Sequence, residues 1–563
     1  MSKFSENLKK LYFQKEYSKI ISLINNELND EDKNSGILNL LATCIHCQDD
    51  KIKNKLDAIN IFEASFLKEK NTKNAIEALS NFINLSIKLF NQSKTEDIDS
   101  IAKKNFLRAI YYYDNLEAVI KINENLLISI VEIYKKLADV DKTIHFLNKL
   151  LDHEFNDPMT IQSLIYQNNF RYNWSSKDYL KKGKFLQNNL ERFDKDKLVS
   201  LKSEKNQKLK IGFFSADIFS NHSVSYFLKS ILSNYDKDKF EIYLYLNQNN
   251  NKKDQTTEEF IKMVDRYIDI SSLNDLDALN QIRSHNLNYA IDLMGVTSTN
   301  RINLFNNRIS NKQILWCGYC NTTGLDNMDY IFADKHLIKD EEKTFYSEKI
   351  VNLPQIWNCH SGYEVKRNFN KMPYLKNKYI TFGSFNNYLK ISDEVISTWS
   401  IILKRISNSK LILKPSSKRE HSLLSSKFEK NGVLKSVIFH ERKQVFQEHL
   451  NLYKNIDLSL DTFPYPGVTT SFESIWMGVP VITLMGFNFN SRCGVSINKN
   501  LGLDNLIATN IEDYINICSD LALNPDKLNQ IRNNIFNNAL RSPLFDQTQF
   551  REDFFKTLEF IDN

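Results

Sequence analysis

The run Asp461-Thr462-Phe463-Pro464-Tyr465-Pro466-Gly467-Val468-Thr469-Thr470 holds the densest chemical information in the chain. An apolar strand ends at Asp461, a Pro/Gly turn follows, and Thr469-Thr470 open a helix that continues through Glu473. The first turn of a helix presents unpaired N–H groups and the positive end of the backbone dipole, so it favours an anion such as a diphosphate. Two hydroxyls at that terminus add donors, and Glu473, one turn further on, is placed to accept from ribose hydroxyls. An ordinary Thr-capped helix accounts for the same residues, and on the residues alone the two readings stand level. Other chemistries find less support. No GxGxxG follows the first strand of either α/β segment and no GxxxxGK[ST] loop occurs, which argues against a dinucleotide cofactor and a P-loop. The triplets Asp236-Lys237-Asp238 and Asp275-Leu276-Asp277 sit in polar segments rather than at strand ends, so they read as solvated surface and call for no catalytic metal. Cys44/Cys47 and Cys317/Cys320 have CxxC spacing but lie in apolar passages without the four ligands of a structural zinc site. They read as small buried side chains.

The elements that must position these residues change character near residue 210. Of 14 glycines and 9 prolines, just Gly36, Gly183 and Pro158 precede residue 211. Both residue types are costly inside helices, so the first 200 residues are predicted to be mostly helical. The i, i+3, i+4 spacing of Leu8, Leu11 and Tyr12 and of Ile20, Ile21 and Ile24 agrees. Paired short helices with polar turns predict a tetratricopeptide (TPR)-like α-solenoid over 1–200. Beyond it, apolar strands alternate with helices: 209–214, 240–246, 267–270 and 289–294, then 380–385, 411–413, 437–439, 456–460 and 481–484. That order means doubly wound parallel sheets. Residues 208–375 and 376–563 are expected to form two Rossmann-like domains, joined near 340–378, facing a ligand cleft as in the glycosyltransferase-B (GT-B) architecture. His222 follows the first strand of the first half and Lys390 the first strand of the second; taken alone, each reads as an ordinary loop residue. Composition adds exclusions. With 42% hydrophobic and 25% charged residues the chain is globular, and a net charge of +6 over 563 residues is too thin for a nucleic-acid partner. Seven sparse cysteines, no signal-peptide core and no apolar run long enough for a membrane span predict a cytoplasmic protein.

From Lys208 to about Ile561 the sequence resembles the protein O-linked N-acetylglucosamine transferase family, which includes bacterial members and the plant SPINDLY-type O-fucosyltransferases. The resemblance rests on several blocks in order. They are Gly212-Phe213-Phe214-Ser215-Ala216-Asp217 with Asn221-His222, Trp316 to Gly324 with Met328-Asp329-Tyr330, and Phe382-Gly383-Ser384-Phe385-Asn386-Asn387 with Lys390. Glu448-His449-Leu450, the 461–480 block and Arg541-Ser542-Pro543-Leu544 complete the set. It implies inverting, metal-independent transfer of a sugar from a nucleotide donor to a protein side chain, with no resident cofactor. UDP-N-acetylglucosamine and Ser/Thr are the expected donor and acceptor. A GDP-fucose donor and an N-linked glucosyl transfer are the alternatives within the class. By motif, Lys390 would hold the diphosphate, Asn387 and His449 would line the nucleotide pocket, and Thr469, Thr470 and Glu473 would contact phosphates and ribose. His222 would stand near the acceptor hydroxyl, as base or positioning group. The helical repeats would present the protein acceptor.

The sequence departs from the family pattern in places. Val468 replaces the usual His or Gly before the two threonines, and Gly295-Val296-Thr297 stands for a Gly-His-Thr or Gly-Tyr-Thr triplet. His285 occupies the position of an acidic residue sometimes proposed as base, and is carried as a candidate base against a bland surface reading. A reading of another class, a non-catalytic TPR scaffold with a degenerate transferase half, draws on Val468 and Val296. The retention of His222, Lys390, Thr469, Thr470 and Glu473 together opposes it.

Overall fold

The computed structural model describes residues 2–70, 72–92, 96–118, 120–172, 174–201, 208–248, 252–365, 367, 371–441 and 445–562. Contacts divide the chain into two units, 1–160 and 161–563. In the first unit the helices from Ser2–Phe13 to Val140–Asp152 follow one another with short turns. Each of the helices from Ser2–Phe13 to Lys73–Gln92 packs on its successor. Ser35–Gln48 also reaches Lys73–Gln92, which in turn reaches Glu124–Lys136. Such next-but-one contacts are what a stacked helical array requires. Ile20 and Ile24, four residues apart on one helical face, bury themselves with Leu8, Leu41 and Cys44. Asn34, Asn123 and Asp139 cap three of these helices by accepting from Ile37, Leu126 and Lys142 N–H, which satisfies donors that the helix cannot.

The second unit begins within the helix Pro158–Asn168, then holds the helix Ser176–Asn189 and two parallel sheets. The first has seven strands: β1 (Leu209–Ser215), β2 (Phe240–Leu246), β3 (Arg266–Asp269), β4 (Tyr289–Asp292), β5 (Lys312–Leu315), β6 (Tyr330–Ala333) and β7 (Lys349–Asn352). Their order is β3-β2-β1-β4-β5-β6-β7, and Ile211 pairs with Tyr289 across the point of reversal. The second has six: β8 (Thr381–Ser384), β9 (Lys410–Leu413), β10 (Val437–Phe439), β11 (Leu458–Leu460), β12 (Val481–Leu484) and β13 (Ile507–Ala508), ordered β10-β9-β8-β11-β12-β13. In each sheet the order reverses once, between β1 and β4 and between β8 and β11. Loops after those strands diverge and leave a crevice at the carboxyl edge.

Three details differ from the sequence reading. The strand expected over 289–294 stops at Asp292, because the Asp292 carboxylate turns back to accept from Met294 N (2.9 Å) and Gly295 N (3.0 Å). The stretch 340–378 is not connection alone, since it contains β7. The last helix, Gln547–Asp562, leaves the second sheet and covers the first: Phe554 meets Trp316 at 4.9 Å and Phe332 at 5.4 Å, and Tyr289 Oη donates to the Leu558 carbonyl. Phe550, Phe554 and Leu558, four residues apart, form the stripe that docks there.

Helix Ser176–Asn189 meets the loop after β5 backbone to backbone. A Cβ at Gly183 would fall 2.4 Å from the Thr323 carbonyl oxygen and 2.8 Å from Gly324 Cα. Neither neighbour is a side chain that can swing aside. Gly183→Val is therefore expected to destabilise by about 2 kcal/mol or more through overpacking, read as a lowered Tm in thermal unfolding; an unchanged Tm would mean the helix can lift off the loop freely.

Candidate active site

Polar groups gather at the carboxyl edges of β1, β8, β9 and β11. After β8 the chain makes a single 3-10 turn, Tyr388–Lys390, capped by the Asn387 side chain, whose Oδ1 accepts from Leu389 N at 2.9 Å. That turn aims Lys390 inward. Its Nζ donates to the Pro466 carbonyl at 2.8 Å and lies 3.9 Å from the Tyr465 ring centroid. Burial lowers the Lys390 pKa below the ordinary lysine value, and the charge of Asp461 opposes that shift. Asp461, 2% exposed, is itself pushed above the usual carboxylate range by burial.

Asp461 organises the turn that follows β11. Its Oδ1 accepts from Gly467 N (2.6 Å) and Thr462 N (3.0 Å), and its Oδ2 accepts from Thr483 Oγ1 (2.9 Å). The turn delivers Thr469 and Thr470 to the first positions of helix Thr469–Trp476, as the sequence predicts. Thr470 Oγ1 donates to Asn386 Oδ1 at 2.8 Å. Gly467 leaves room for that bond: a Cβ would lie 2.2 Å from Thr470 Oγ1 and 2.8 Å from Asn386 Oδ1, so both side chains would have to shift.

Glu473 lies deeper than the sequence suggests. It is 6% exposed, and its Oε2 stands 2.8 Å from both His449 Nε2 and Tyr453 Oη. His449 is buried beside it, with Nδ1 2.8 Å from Lys414 Nζ. Asn387, by contrast, is exposed, and its local bond makes it the cap of the lysine turn.

From the first half, His222 caps helix Ser223–Leu232, its Nδ1 accepting from Val224 N at 3.4 Å. Its Nε2 stands 3.9 Å from Asp217 Oδ1. Burial lowers the His222 pKa, partly opposed by Asp217. The next residue reaches across: Thr469 Oγ1 donates to Ser223 Oγ at 2.5 Å. Two helix N-termini, one from each sheet, thus face one another with Lys390 nearby on the second. Below them the halves are held by Phe227 against Phe472 (5.4 Å) and by Arg492 paired with Glu342.

His285 does not join this group. It caps the C-terminus of helix Asp275–Ser284, ahead of β4, with Nδ1 2.7 Å from Tyr245 Oη and its carbonyl near Lys210 Nζ. His285 precedes β4, and its ring packs beside Tyr243 and Tyr245, with ring centroids 5.3 and 6.0 Å away, rather than with His222, Lys390 or the Thr469 helix end. The candidate base at 285 is corrected to a structural histidine. Its pKa falls with burial and with Arg266 and Lys210 nearby. Sequence reasoning missed Ser223, Lys414 and Tyr453 as members of the site. Lys414 carried a signal, a lysine immediately after the apolar strand β9, at the same edge of the sheet as the loop that bears Lys390.

Two parallel α/β domains with their reversal points facing one cleft, a helix N-terminus at its floor and a lysine beside it define a GT-B glycosyltransferase. The chain belongs to glycosyl transferase family 41, whose sequence profile matches residues 180–367 and 365–554. It is 31% identical over 359 residues to the "Probable UDP-N-acetylglucosamine--peptide N-acetylglucosaminyltransferase SPINDLY" of Petunia hybrida, covering 62% of this chain and 38% of that protein. The protein of the same description named SEC from Arabidopsis thaliana is 27% identical over 353 residues, 60% of this chain and 36% of its own. The chain therefore spans well under half the length of these curated relatives. Among solved structures, a Thermobaculum terrenum O-GlcNAc transferase mutant superposes with a TM-score of 0.75 at 22% identity, covering 92% of this chain and 96% of that one. That likeness is one of fold. Among the described residues no helix is long and apolar enough to cross a membrane.

Proposed function

We propose that this chain transfers N-acetylglucosamine from UDP-N-acetylglucosamine to Ser or Thr of a protein acceptor, with inversion and without a metal. The observation that carries this reading is the convergence of Lys390, the Thr469–Thr470 helix end and, through the Ser223 bridge, the His222 loop. A diphosphate bound there meets one ammonium and the positive end of a helix, which offset the charge that develops on the departing nucleotide. That is the work a divalent cation does in other transferases, and the proposal assigns it to protein groups. On the opposite side, Asp217 near Nε2 of His222 favours the proton on that nitrogen and leaves Nδ1 with a lone pair. At 3.4 Å its contact with Val224 N is long enough to yield to an acceptor hydroxyl. The hydroxyl then attacks the anomeric carbon from the face away from the nucleotide. The donor assignment follows the relatives' descriptions, and the helical array is assigned the docking of acceptor polypeptide.

The test is calorimetric titration and thermal shift with UDP, UDP-N-acetylglucosamine, GDP and GDP-fucose in EDTA buffer, followed by transfer assays on the donor that binds. At a hundredfold excess over Kd a true ligand adds about 2.7 kcal/mol of stability. Stabilisation by the uridine compounds and turnover undiminished by EDTA are expected. Stabilisation by the guanosine pair alone would move the donor to GDP-fucose. Silence with all four would hand the chain to the scaffold reading.

A further inference from the structure

We propose that Lys414 is a positioning residue of the nucleotide site, fixing His449 in one neutral tautomer and one ring orientation; the inference rests on reading the Thr469 helix end as the donor site. Lys414 follows β9, the neighbour of β8, so it emerges at the same carboxyl edge as Lys390 and Asp461. Lys414 Nζ, His449 and Glu473 form a chain of two 2.8 Å contacts: Nζ to Nδ1, then Nε2 to Oε2. Tyr453 Oη closes it, 2.8 Å from the same carboxylate oxygen and 3.1 Å from the Thr470 carbonyl. The far end of the chain is thus tied to the backbone of the phosphate-facing helix.

The chemistry of the three groups leaves one arrangement. An ammonium has donors and no acceptor, so His449 Nδ1 must accept. A buried carboxylate accepts, so Nε2 must carry the proton and donate. With both nitrogens engaged, the imidazole can meet a ligand only through its ring face. Its orientation is set by Phe385, Phe446 and Tyr453, whose ring centroids stand 6.0, 5.7 and 5.9 Å away, at interplanar angles of 67°, 56° and 64°. A ring held this way suits a flat nucleobase laid against it, and it does not select among bases by hydrogen bonding. Without Lys414, Nδ1 loses the donor that fixes the ring, so the imidazole can turn over and present either nitrogen to Glu473, and the stacking face is no longer fixed.

The experiment uses the full chain labelled with 15N-histidine, the His449 signals being assigned by their loss in His449→Gln. Wild type is expected to show His449 as the neutral Nε2–H tautomer. Lys414→Met should shift those signals to mixed tautomers and weaken UDP binding about tenfold, the scale of one charge-assisted hydrogen bond. Lys414→Gln and Lys414→Arg both keep a donor toward Nδ1, and each should restore the tautomer and most of the affinity; they also serve if the methionine variant folds poorly. In transfer assays the loss should fall on the donor KM more than on kcat. Lys414→Met binding UDP as wild type does, or keeping the Nε2–H tautomer while binding weakens, would overturn the positioning role. If wild type binds no nucleotide, the transferase reading fails, and the histidine spectra still decide whether the relay exists.

Discussion

Lys390→Ala is expected to reduce turnover by about 10²- to 10³-fold, the range found when one preorganised stabiliser of developing negative charge is removed. Lys390 stands against the turn that leads into the Thr469 helix, its ammonium part-buried, bonded to the Pro466 carbonyl and set over the Tyr465 ring. Little reorganisation is then needed when a diphosphate arrives, which is why the effect should fall on the chemical step as well as on binding. Stability should change little. The alanine removes a buried charge whose desolvation is unfavourable, and it also leaves Asp461 without its counter-charge, so the two consequences oppose one another. A Tm within a few degrees of wild type is the control. The pH profile supplies a second readout. Burial holds the lysine pKa below its ordinary value, so donor affinity should fall on the alkaline side at a lower pH than an exposed lysine would dictate, and the fall should vanish in the alanine variant. Near-normal turnover by Lys390→Ala would remove it from the mechanism.

Much of this site was legible in the sequence because it lies where strands end. Lys390, Asp461 and the threonines at 469–470 each follow a short apolar run, and a parallel sheet delivers all such positions to one edge. The same rule sets His285 apart, since it precedes a strand rather than following one, and its contacts with Tyr243 and Tyr245 agree with the bland reading carried beside the candidate base. Depth was harder to read. Helical spacing puts Glu473 one turn beyond Thr469, but only packing shows its Oε2 committed to His449 and Tyr453, which come from a separate helix and turn. Strands β5, β6, β7 and β13 went unread, although β9, β10 and β12, which were read, are as short. Strands β5 and β7 carry two aliphatic residues each against three in β9, and β13 is two residues long. The docking of the last helix on the first sheet depends on contacts across more than two hundred residues, which no local pattern encodes.

Asp461→Ala should be the more damaging substitution for the fold, and Asp461→Asn separates its two duties. The alanine leaves Gly467 N–H, Thr462 N–H and the Thr483 hydroxyl without their acceptor in a buried place. At about 1–3 kcal/mol for each unsatisfied buried group, partly relieved by relaxation, a loss of about 3–5 kcal/mol is expected. The turn that aims Thr469 and Thr470 would lose its template, so nucleotide affinity should fall together with Tm. The asparagine is nearly isosteric. Its Oδ1 can still accept from Gly467 and Thr462, and its amide can donate to Thr483 Oγ1, so Tm should stay close to wild type. What it lacks is the charge that holds the Lys390 pKa up against burial. With that charge gone, Lys390 should lose its proton at lower pH, and the alkaline limb of donor binding should move toward neutrality. Titrating nucleotide affinity from pH 6 to 10 in wild type and Asp461→Asn measures this directly. Superimposable alkaline limbs would show that the two groups act independently, with Asp461 serving the turn alone.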